Sequence, residues 1–568
     1  MDKGSSKPEA GAPATGNPAD SAAYPPLTLP EMVFASAAAA PAAPLIDFLG
    51  RRYTYAQVTA EAQRFAAGLQ AAGVVKGDRV ALCLPNVPLY LSAYYGALLA
   101  GACVVNCAPT WSADALAERL ADTRPKVLVT LDVAAVLDPV RAARSAVETV
   151  VVGRLSAMLP PLSGALHRLI GRAAPIDGPG MVGWRDFLRA EAPAPVALDA
   201  VRDVAVIQYT NGTTGAPKAV RLSHQNLTVN ARQLEAIDPW HGARDVMLGV
   251  LPLAGIFANS AVLNRTVLDR GCIALLPRFD ARQVLRTVAR TRATVMPGVP
   301  AMFQALLDSP ELERTDLSSL RACISGGAPL PAPLKRRFEA ASQARLVEGY
   351  GLAEAAGVVS VNPLGAPERP GTVGVPLPGT RWQVFDLDDP SRPAAPGEAG
   401  ELAVAGAQVM LGYWDDPAAD ARALDGEWLR TGDLATIDAA GYATVIDRLA
   451  DAIDVAGTRV FPSRIEAILL GHDSVREAVA IGVPDAFRGE SPKVYATLRG
   501  EALDTGESLR NWLNGRLPRE MRVLAVEVRE TLPRIPVGKL DRNALRAEEA
   551  ARGIEFSRAA PLPGTAAG

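Results

Sequence analysis

Tyr209-Thr-Asn-Gly-Thr-Thr-Gly-Ala-Pro-Lys218 brings three threonines, two glycines and one lysine into ten residues, directly after a strand-like run at 204–209. Glycines let backbone N–H groups approach an anion closely, hydroxyls add donors, and a lysine adds charge. The stretch therefore reads as a phosphate-binding loop. Its candidate residues are Thr210, Asn211, Gly212, Thr213, Thr214, Gly215 and Lys218. No Gly-Lys-Ser/Thr follows at the Walker spacing, so it is a different kind of loop from the P-loop.

Working outward from this loop, short apolar runs alternate with segments of helical period. Strands are expected at 78–84, 102–106, 126–130, 204–209, 246–251, 272–276, 294–296 and 322–325. Helices are expected at 56–72, 113–122, 281–291 and 300–308. Fully apolar strands interleaved with helices predict an α/β fold with mostly parallel sheets covered on both faces. Residues 155–185 contain several Pro and Gly without a clean period and read as a surface excursion. From about residue 372, strands at 382–386, 400–405 and 442–446 separated by Gly/Pro/Asp turns predict an antiparallel region. Beyond 447, short strands mix with helices at 462–470 and 508–517, enough for a small α+β domain. The expected division is a tail at 1–30, a large domain at 31–446, a small mobile domain at 447–553 and a tail at 554–568.

Composition narrows the function. The chain has 568 residues and a formal net charge of −3, which gives no reason to expect nucleic acid. Five cysteines are scattered without a CxxC pair, and there are four His, so neither a structural zinc site nor a disulfide framework is expected. Scattered thiols fit a reducing, cytoplasmic setting. The N-terminus lacks an apolar signal-peptide core. The uncharged run 87–105 is long enough to raise a membrane span. Its Ser92, Tyr94, Tyr95, Gly96 and Gly101 favour a buried helix ending near Gly101, then a buried strand.

Three further clusters carry chemistry. Glu348-Gly-Tyr-Gly-Leu-Ala-Glu354 follows a strand and presents Tyr350 to a flat ring and Glu354 to a hard cation such as Mg²⁺. Trp428-Leu-Arg-Thr-Gly-Asp433 sets a carboxylate in a Gly turn, where it can accept two ribose hydroxyls. Leu532-Pro-Arg-Ile-Pro-Val-Gly-Lys-Leu-Asp-Arg542 presents Lys539, one of only eight lysines, on a Pro/Gly loop. Each alone is also what an ordinary turn, hairpin or surface lysine looks like.

Together, in this order and spacing, the four clusters resemble the adenylate-forming superfamily of acyl-CoA synthetases, nonribosomal adenylation domains and luciferases, over about 28–553. Val347-Glu-Gly-Tyr-Gly-Leu, Ser360-Val-Asn-Pro, Gln408-Val-Met-Leu-Gly-Tyr-Trp and Asp447-Arg448 are most similar to the bacterial fatty acyl-CoA synthetases. The resemblance implies an ATP-dependent ligase. A carboxylate attacks the α-phosphate of ATP to give acyl-AMP and pyrophosphate. The small domain rotates, and the thiol of CoA displaces AMP. ATP, Mg²⁺ and CoA are the implied cofactors, and a medium- or long-chain fatty acid is the implied substrate. Aromatic or dicarboxylic acids, a carrier-protein acceptor, or a non-catalytic nucleotide- or acyl-binding role are the alternatives. Peripheral membrane contact and a homodimer are compatible with the same resemblance.

Residue by residue, the resemblance assigns 210–218 to the β- and γ-phosphates. It assigns Gly326, Gly327 and Ala328, with Glu348, Gly349, Tyr350 and Gly351, to adenine. Asp433 and Arg448 fall to ribose, Glu354 to Mg²⁺, Lys539 to the carboxylate and α-phosphate, and Gly457 and Arg459 to CoA. The chain departs from the usual pattern at several of these places. Asn211 stands for Ser or Gly, and Ala219 for the Gly after the lysine. Ala353 replaces a Thr, Ala254-Gly255 an aromatic-His pair, Ala450 a hinge Asp or Lys, and Asp454 a Lys. Loss of the Thr removes one hydrogen bond, about 0.5–1.5 kcal/mol. The remaining departures bear on domain rotation and on the shape of the acid site.

Overall fold

The structure is a computed structural model. It describes residues 24–171, 173–210, 217–240, 244–365, 369–500, 502–534 and 540–552. Lys539, residues 211–216 and the far termini lie outside the described residues.

Two large sheets carry the chain up to about residue 376, with one strand of the first supplied from residues 412–413. The first has eight strands in the order Gly412–Tyr413, Ala219–Ser223, Val204–Tyr209, Cys103–Cys107, Arg79–Cys83, Val127–Leu131, Thr149–Gly153, Met181–Gly183. All neighbours from Val204–Tyr209 to Met181–Gly183 are parallel. The second has nine strands, with Arg345–Tyr350, Ala322–Ser325, Val295–Gly298, Val246–Gly249, Cys272–Leu275 and Pro44–Phe48 parallel at its centre. Most of these strands are largely apolar, as strands covered by helices on both faces are. Two five-stranded sheets complete the chain. One is antiparallel, built from Arg381–Phe385, Gly400–Ala405, Leu424–Asp425, Trp428–Ile437 and Ala443–Arg448. The other lies in the C-terminal segment and includes Val475–Asp485 and Gly489–Leu498. The chain thus has the expected α/β class.

The uncharged run is a buried helix, Pro88–Leu99, followed by the buried strand Cys103–Cys107. No described helix is long and apolar enough to cross a membrane. The helix also joins the two large sheets. Tyr90 donates to Asn106 Oδ1 at 2.8 Å and to Leu253 O at 3.0 Å. Tyr94 and Tyr95 donate to Asn259 and Asn264, both at 3.2 Å. Those asparagines lie on one helical segment, 256–268, widened to a π-helical turn over Asn259–Asn264. A buried phenol needs such a partner, and here the partners fix segment 256–268 against helix Pro88–Leu99. All five cysteines are free, and only Cys272 is not fully buried.

Three expectations change. The N-terminal tail ends before residue 30. Thr28 accepts from Glu31 N–H in a capping box that starts helix Leu29–Ala39, and Leu29, Met32 and Val33 are buried. Residues 155–185 are not simply an excursion. They contain helix Pro161–Leu169, and strand Met181–Gly183 extends the first sheet at its edge. Asp447 and Arg448, expected at the start of the small domain, instead end strand Ala443–Arg448 and pair with Leu434 and Asp433.

His224 ties the N-terminal helix down. It heads helix His224–Ala236, is buried, and its Nδ1 accepts from Leu29 N–H at 3.3 Å. Burial draws its pKa from 6.5 to about 4, against the partly opposing charges of Asp203 and Glu31. The folded state keeps it neutral while the unfolded chain takes a proton, so stability falls as pH drops from about 6.5 to about 4. A His224→Gln variant is expected to lose stability less steeply across that window in denaturant titrations. Equal slopes for the two proteins would remove His224 as the cause.

Candidate active site

The candidate phosphate loop is closed at its neck. Strands Val204–Tyr209 and Ala219–Ser223 pair antiparallel, with Tyr209 opposite Ala219. Thr210 N–H donates to Lys218 O at 2.9 Å, and Lys218 N–H donates to Thr210 Oγ1 at 3.0 Å. Asn211, Gly212, Thr213, Thr214 and Gly215 lie outside the described residues, in the segment that leaves and re-enters the sheet at this neck.

Lys218 points its ammonium at the ring of Tyr413, 4.7 Å from the centroid. The Tyr413 hydroxyl in turn donates to Glu354 Oε1 at 3.0 Å. Strand Gly412–Tyr413 pairs beside Ala219–Ser223, and Asp420 Oδ1 accepts from Tyr413 N–H at 2.6 Å. Burial first, and then the Glu354 charge, raise the Tyr413 phenol well above its ordinary range and keep it a donor. Tyr413 thus bridges the phosphate loop and the second cluster. Its segment resembles the family pattern, but nothing in an aromatic after Gly412 signals a bridging role.

Strand Arg345–Tyr350 delivers the second cluster. Glu348 sits opposite Ser325 in parallel register, and Gly326, Gly327 and Ala328 leave the end of that neighbouring strand. Gly349 pairs with Val361. Gly351 admits no side chain, because a Cβ there would lie 1.7 Å from Gly357 O. Tyr350 donates its hydroxyl to Asp433 Oδ2 at 2.5 Å, and Arg448 Nε lies 2.7 Å from Asp433 Oδ1. Strand pairing sets Asp433 opposite Arg448, and Asp433 is buried. Burial and the Asp433 carboxylate together push the Tyr350 phenol far up.

Glu354 follows Tyr350 by four residues. The chain of contacts Lys218–Tyr413–Glu354 therefore meets the group Tyr350–Asp433–Arg448 along one strand exit. One end is cationic beside a phosphate-type loop, and the other is an aromatic ring with a buried carboxylate. Among the described residues, no group of three or more His, Cys, Asp or Glu side chains is arranged to hold a metal ion by itself. Mg²⁺ commonly takes one or two carboxylates plus substrate phosphates rather than a protein cage. A single hard oxygen donor at Glu354, beside Lys218, fits that demand.

The remaining assigned residues are not gathered here. Gly457 and Arg459 sit at the hairpin of strands Ile453–Val455 and Thr458–Val460, with Arg459 exposed. Gly457 N–H donates to Asp454 Oδ1 at 2.8 Å. Ala450 is exposed in the turn Leu449–Asp451. Asp451 is buried, and its carboxylate is 2.9 Å from Arg546 and 3.9 Å from Arg542. Ala353 lies half-buried in the turn Ala353–Ala355. A Cβ on Gly255 would meet only Pro252 O, at 3.2 Å.

Beside the site, helices His224–Ala236 and 256–268 cover a cavity of about 30 Å³ lined by Leu234, Met247, Ala261, Val295 and Ile324 among others. Ile324 lies two residues before Gly326 on the same strand exit. Its far end is ionic. Arg265 Nη2 is 3.0 Å from Asp238 and 3.9 Å from Asp245, and its Nη1 lies against Asp269. Arg321 joins the same two aspartates, at 3.4 and 2.5 Å. These residues are scattered in the sequence, and no local motif announces them.

Comparison with known proteins names the class that this arrangement defines. The AMP-binding enzyme family profile matches residues 33–414, and the AMP-binding enzyme C-terminal domain profile matches 464–539. The chain belongs to the AMP-binding enzyme family, as an AMP-forming acyl-CoA synthetase. It is 36% identical to a long-chain-fatty-acid–CoA ligase of Bacillus subtilis (strain 168) over 531 residues, 92% of this chain and 94% of the relative. It is also 36% identical to a feruloyl-CoA synthase of Amycolatopsis sp over 500 residues, 88% and 94% of the two chains. Among solved structures, ATP-bound MatB from Rhodopseudomonas palustris superposes with a TM-score of 0.79 at 29% identity, covering 92% of this chain and 99% of that one.

Proposed function

We propose that the protein is an ATP- and Mg²⁺-dependent ligase that joins a medium- or long-chain fatty acid to CoA through an acyl-AMP intermediate. The observation that carries this reading is the contact chain from Lys218 through Tyr413 and Glu354 to the Tyr350–Asp433–Arg448 group. The choice of acid is supported by the long-chain-fatty-acid–CoA ligases among the relatives.

In this reading the loop 210–218 holds the β- and γ-phosphates, with Lys218 offsetting their charge. Tyr350 lies against adenine beside Gly326, Gly327, Ala328, Glu348, Gly349 and Gly351. Asp433, oriented by Arg448, takes the ribose hydroxyls. A Mg²⁺ ion held at Glu354 would supply charge neutralisation of the triphosphate. Lys539 draws the acid carboxylate and the α-phosphate together. A carboxylate oxygen then bonds to the α-phosphorus as the bond to pyrophosphate breaks. In the second half-reaction the CoA thiol, guided by Gly457 and Arg459, bonds to the acyl carbon and AMP leaves. The large domain (31–446) and small domain (447–553) would turn against each other between these steps. A cytoplasmic setting accords with five free thiols.

The feruloyl-CoA synthases among the relatives, together with the absence of a side chain at Gly255, favour one second reading, an aromatic acid. The test is incubation with ATP, Mg²⁺, CoA and acids from acetate to palmitate, with benzoate, cinnamate and pimelate, and detection of acyl-AMP and acyl-CoA by mass spectrometry. Acyl-CoA from the longer fatty acids is expected. Acyl-CoA from cinnamate or benzoate alone would replace the fatty acid by an aromatic one. Acyl-AMP without acyl-CoA would point to a carrier-protein acceptor. ATP binding with no product would point to a non-catalytic role.

Asp433→Asn tests the ribose assignment. It turns charge-assisted hydrogen bonds into neutral ones, a loss of about 1.5–3 kcal/mol or at least tenfold in ATP affinity. ATP titration followed by calorimetry reads it. Wild-type affinity in the variant would remove Asp433 from the ribose site.

A further inference from the structure

We infer that helix Pro161–Leu169 is an interfacial helix that seats the protein on an anionic lipid surface. Leu162, Leu166, Leu169 and Ile170 are 87%, 56%, 85% and 53% exposed. Their spacing of four, three and one residues puts them on one face of the helix. The opposite face is the one that packs. Gly164 is buried there, and a Cβ on it would stand 2.4 Å from Ser156 O. The helix is therefore mounted with its apolar stripe outward, the reverse of an ordinary surface helix. No other described helix displays four exposed large apolar side chains.

The surroundings are basic. Residues 155–171 include His167 and Arg168 and no Asp or Glu. The segment leading into the helix is anchored by Arg51, whose Nη1 donates to Ala157 O at 2.6 Å and to Leu159 O at 3.1 Å. Tyr53 donates to Met158 O at 2.8 Å. Arg51 and Tyr53 also line an open cleft of about 410 Å³ with Arg52 and Arg64, both exposed. The one acid lining it, Glu61, already accepts from Ser92 and Trp184. An outward leucine stripe beside arginines matches acyl chains beneath anionic headgroups. A second protein fits less well. The helix is about 13 Å long, and its stripe falls far short of the roughly 800 Å² per partner of a stable interface.

The test is co-sedimentation of the full chain with vesicles of phosphatidylcholine alone and of equimolar phosphatidylcholine and phosphatidylglycerol. Wild-type protein is expected to pellet with the mixed vesicles, less with phosphatidylcholine, and less as salt is raised. The triple variant Leu162→Ser, Leu166→Ser, Leu169→Ser should bind on the order of tenfold more weakly or worse. Its circular dichroism should match that of wild type. Arg52→Gln with Arg64→Gln should erase the preference for phosphatidylglycerol while leaving the helix intact. The inference is overturned if wild-type protein stays in the supernatant, or if the triple variant pellets like wild type. It is also overturned if the leucine changes instead abolish a concentration-dependent self-association seen by sedimentation velocity, which would make the face a contact between copies.

Discussion

Lys539→Ala is expected to lower the rate of acyl-AMP formation about a thousandfold while leaving ATP binding near wild type. The attacking carboxylate and the triphosphate repel one another, and the proposed lysine is the cation placed between them. At about 4 Å and an effective dielectric near 20, one such charge contributes roughly 4 kcal/mol. Each 1.36 kcal/mol of barrier is about tenfold in rate, so the loss approaches three powers of ten. In the proposed reading ATP affinity rests on the loop around Lys218 and on Asp433, and it should survive. The measurement is pyrophosphate release in a single turnover, set beside an ATP titration of the same preparation. A variant that forms acyl-AMP at the wild-type rate would show that Lys539 does not bear on adenylation. A variant that loses ATP binding as well would move the lysine from the reaction to the nucleotide site.

Arg265→Ala should cost about 3–5 kcal/mol of stability, the effect of removing one partner from a buried ionic cluster. Arg265 is buried, and burial pulls its guanidinium pKa down while Asp245 and Asp238 pull it up. Arg321 can still pair with both of those aspartates, at 2.5 and 3.4 Å. Asp269, against Arg265 Nη1, is left with no cation among those contacts. Adding Asp269→Asn to the variant should therefore recover part of the loss. Urea unfolding of the wild type, the single and the double variant measures this. A single-variant loss below about 1 kcal/mol would mean that water already carries the cluster, as it does for surface pairs. The double variant would then show no recovery.

The parallel strands are legible in the sequence because strands buried on both faces are written as unbroken apolar runs. The runs at 204–209 and 322–325 coincide with Val204–Tyr209 and Ala322–Ser325. The Tyr350–Asp433–Arg448 group is legible through family resemblance, and strand pairing then explains why residues so far apart in the chain meet. Tyr413 escapes assignment because a bridging phenol needs only a ring and a hydroxyl, and those leave no spacing to recognise. The Arg265 cluster escapes because its members come from several separate elements and meet only after the sheet and its helices have packed. Helix Pro161–Leu169 escapes for a different reason. Its leucines do keep helical spacing, but the prolines and glycines around them dilute the period over 155–185. Strand Met181–Gly183 is only three residues long and is held by its edge position rather than by its own composition.

The turn at Ala450 lies between two electrostatic clamps. On one side Arg448 is fixed to Asp433, and on the other Asp451 is fixed to Arg546. Only Leu449 and Ala450 separate them. Any swivel of the chain beyond Asp451 against the chain before Arg448 must be taken up by the torsions of those two residues, and the exposed methyl at Ala450 offers no ionic latch to hold one setting. The joint is thus a short axle rather than a tether. In the proposed rotation its stopping points would be set by the few allowed backbone basins of two residues, so the linkage would switch between discrete poses rather than drift through a continuum.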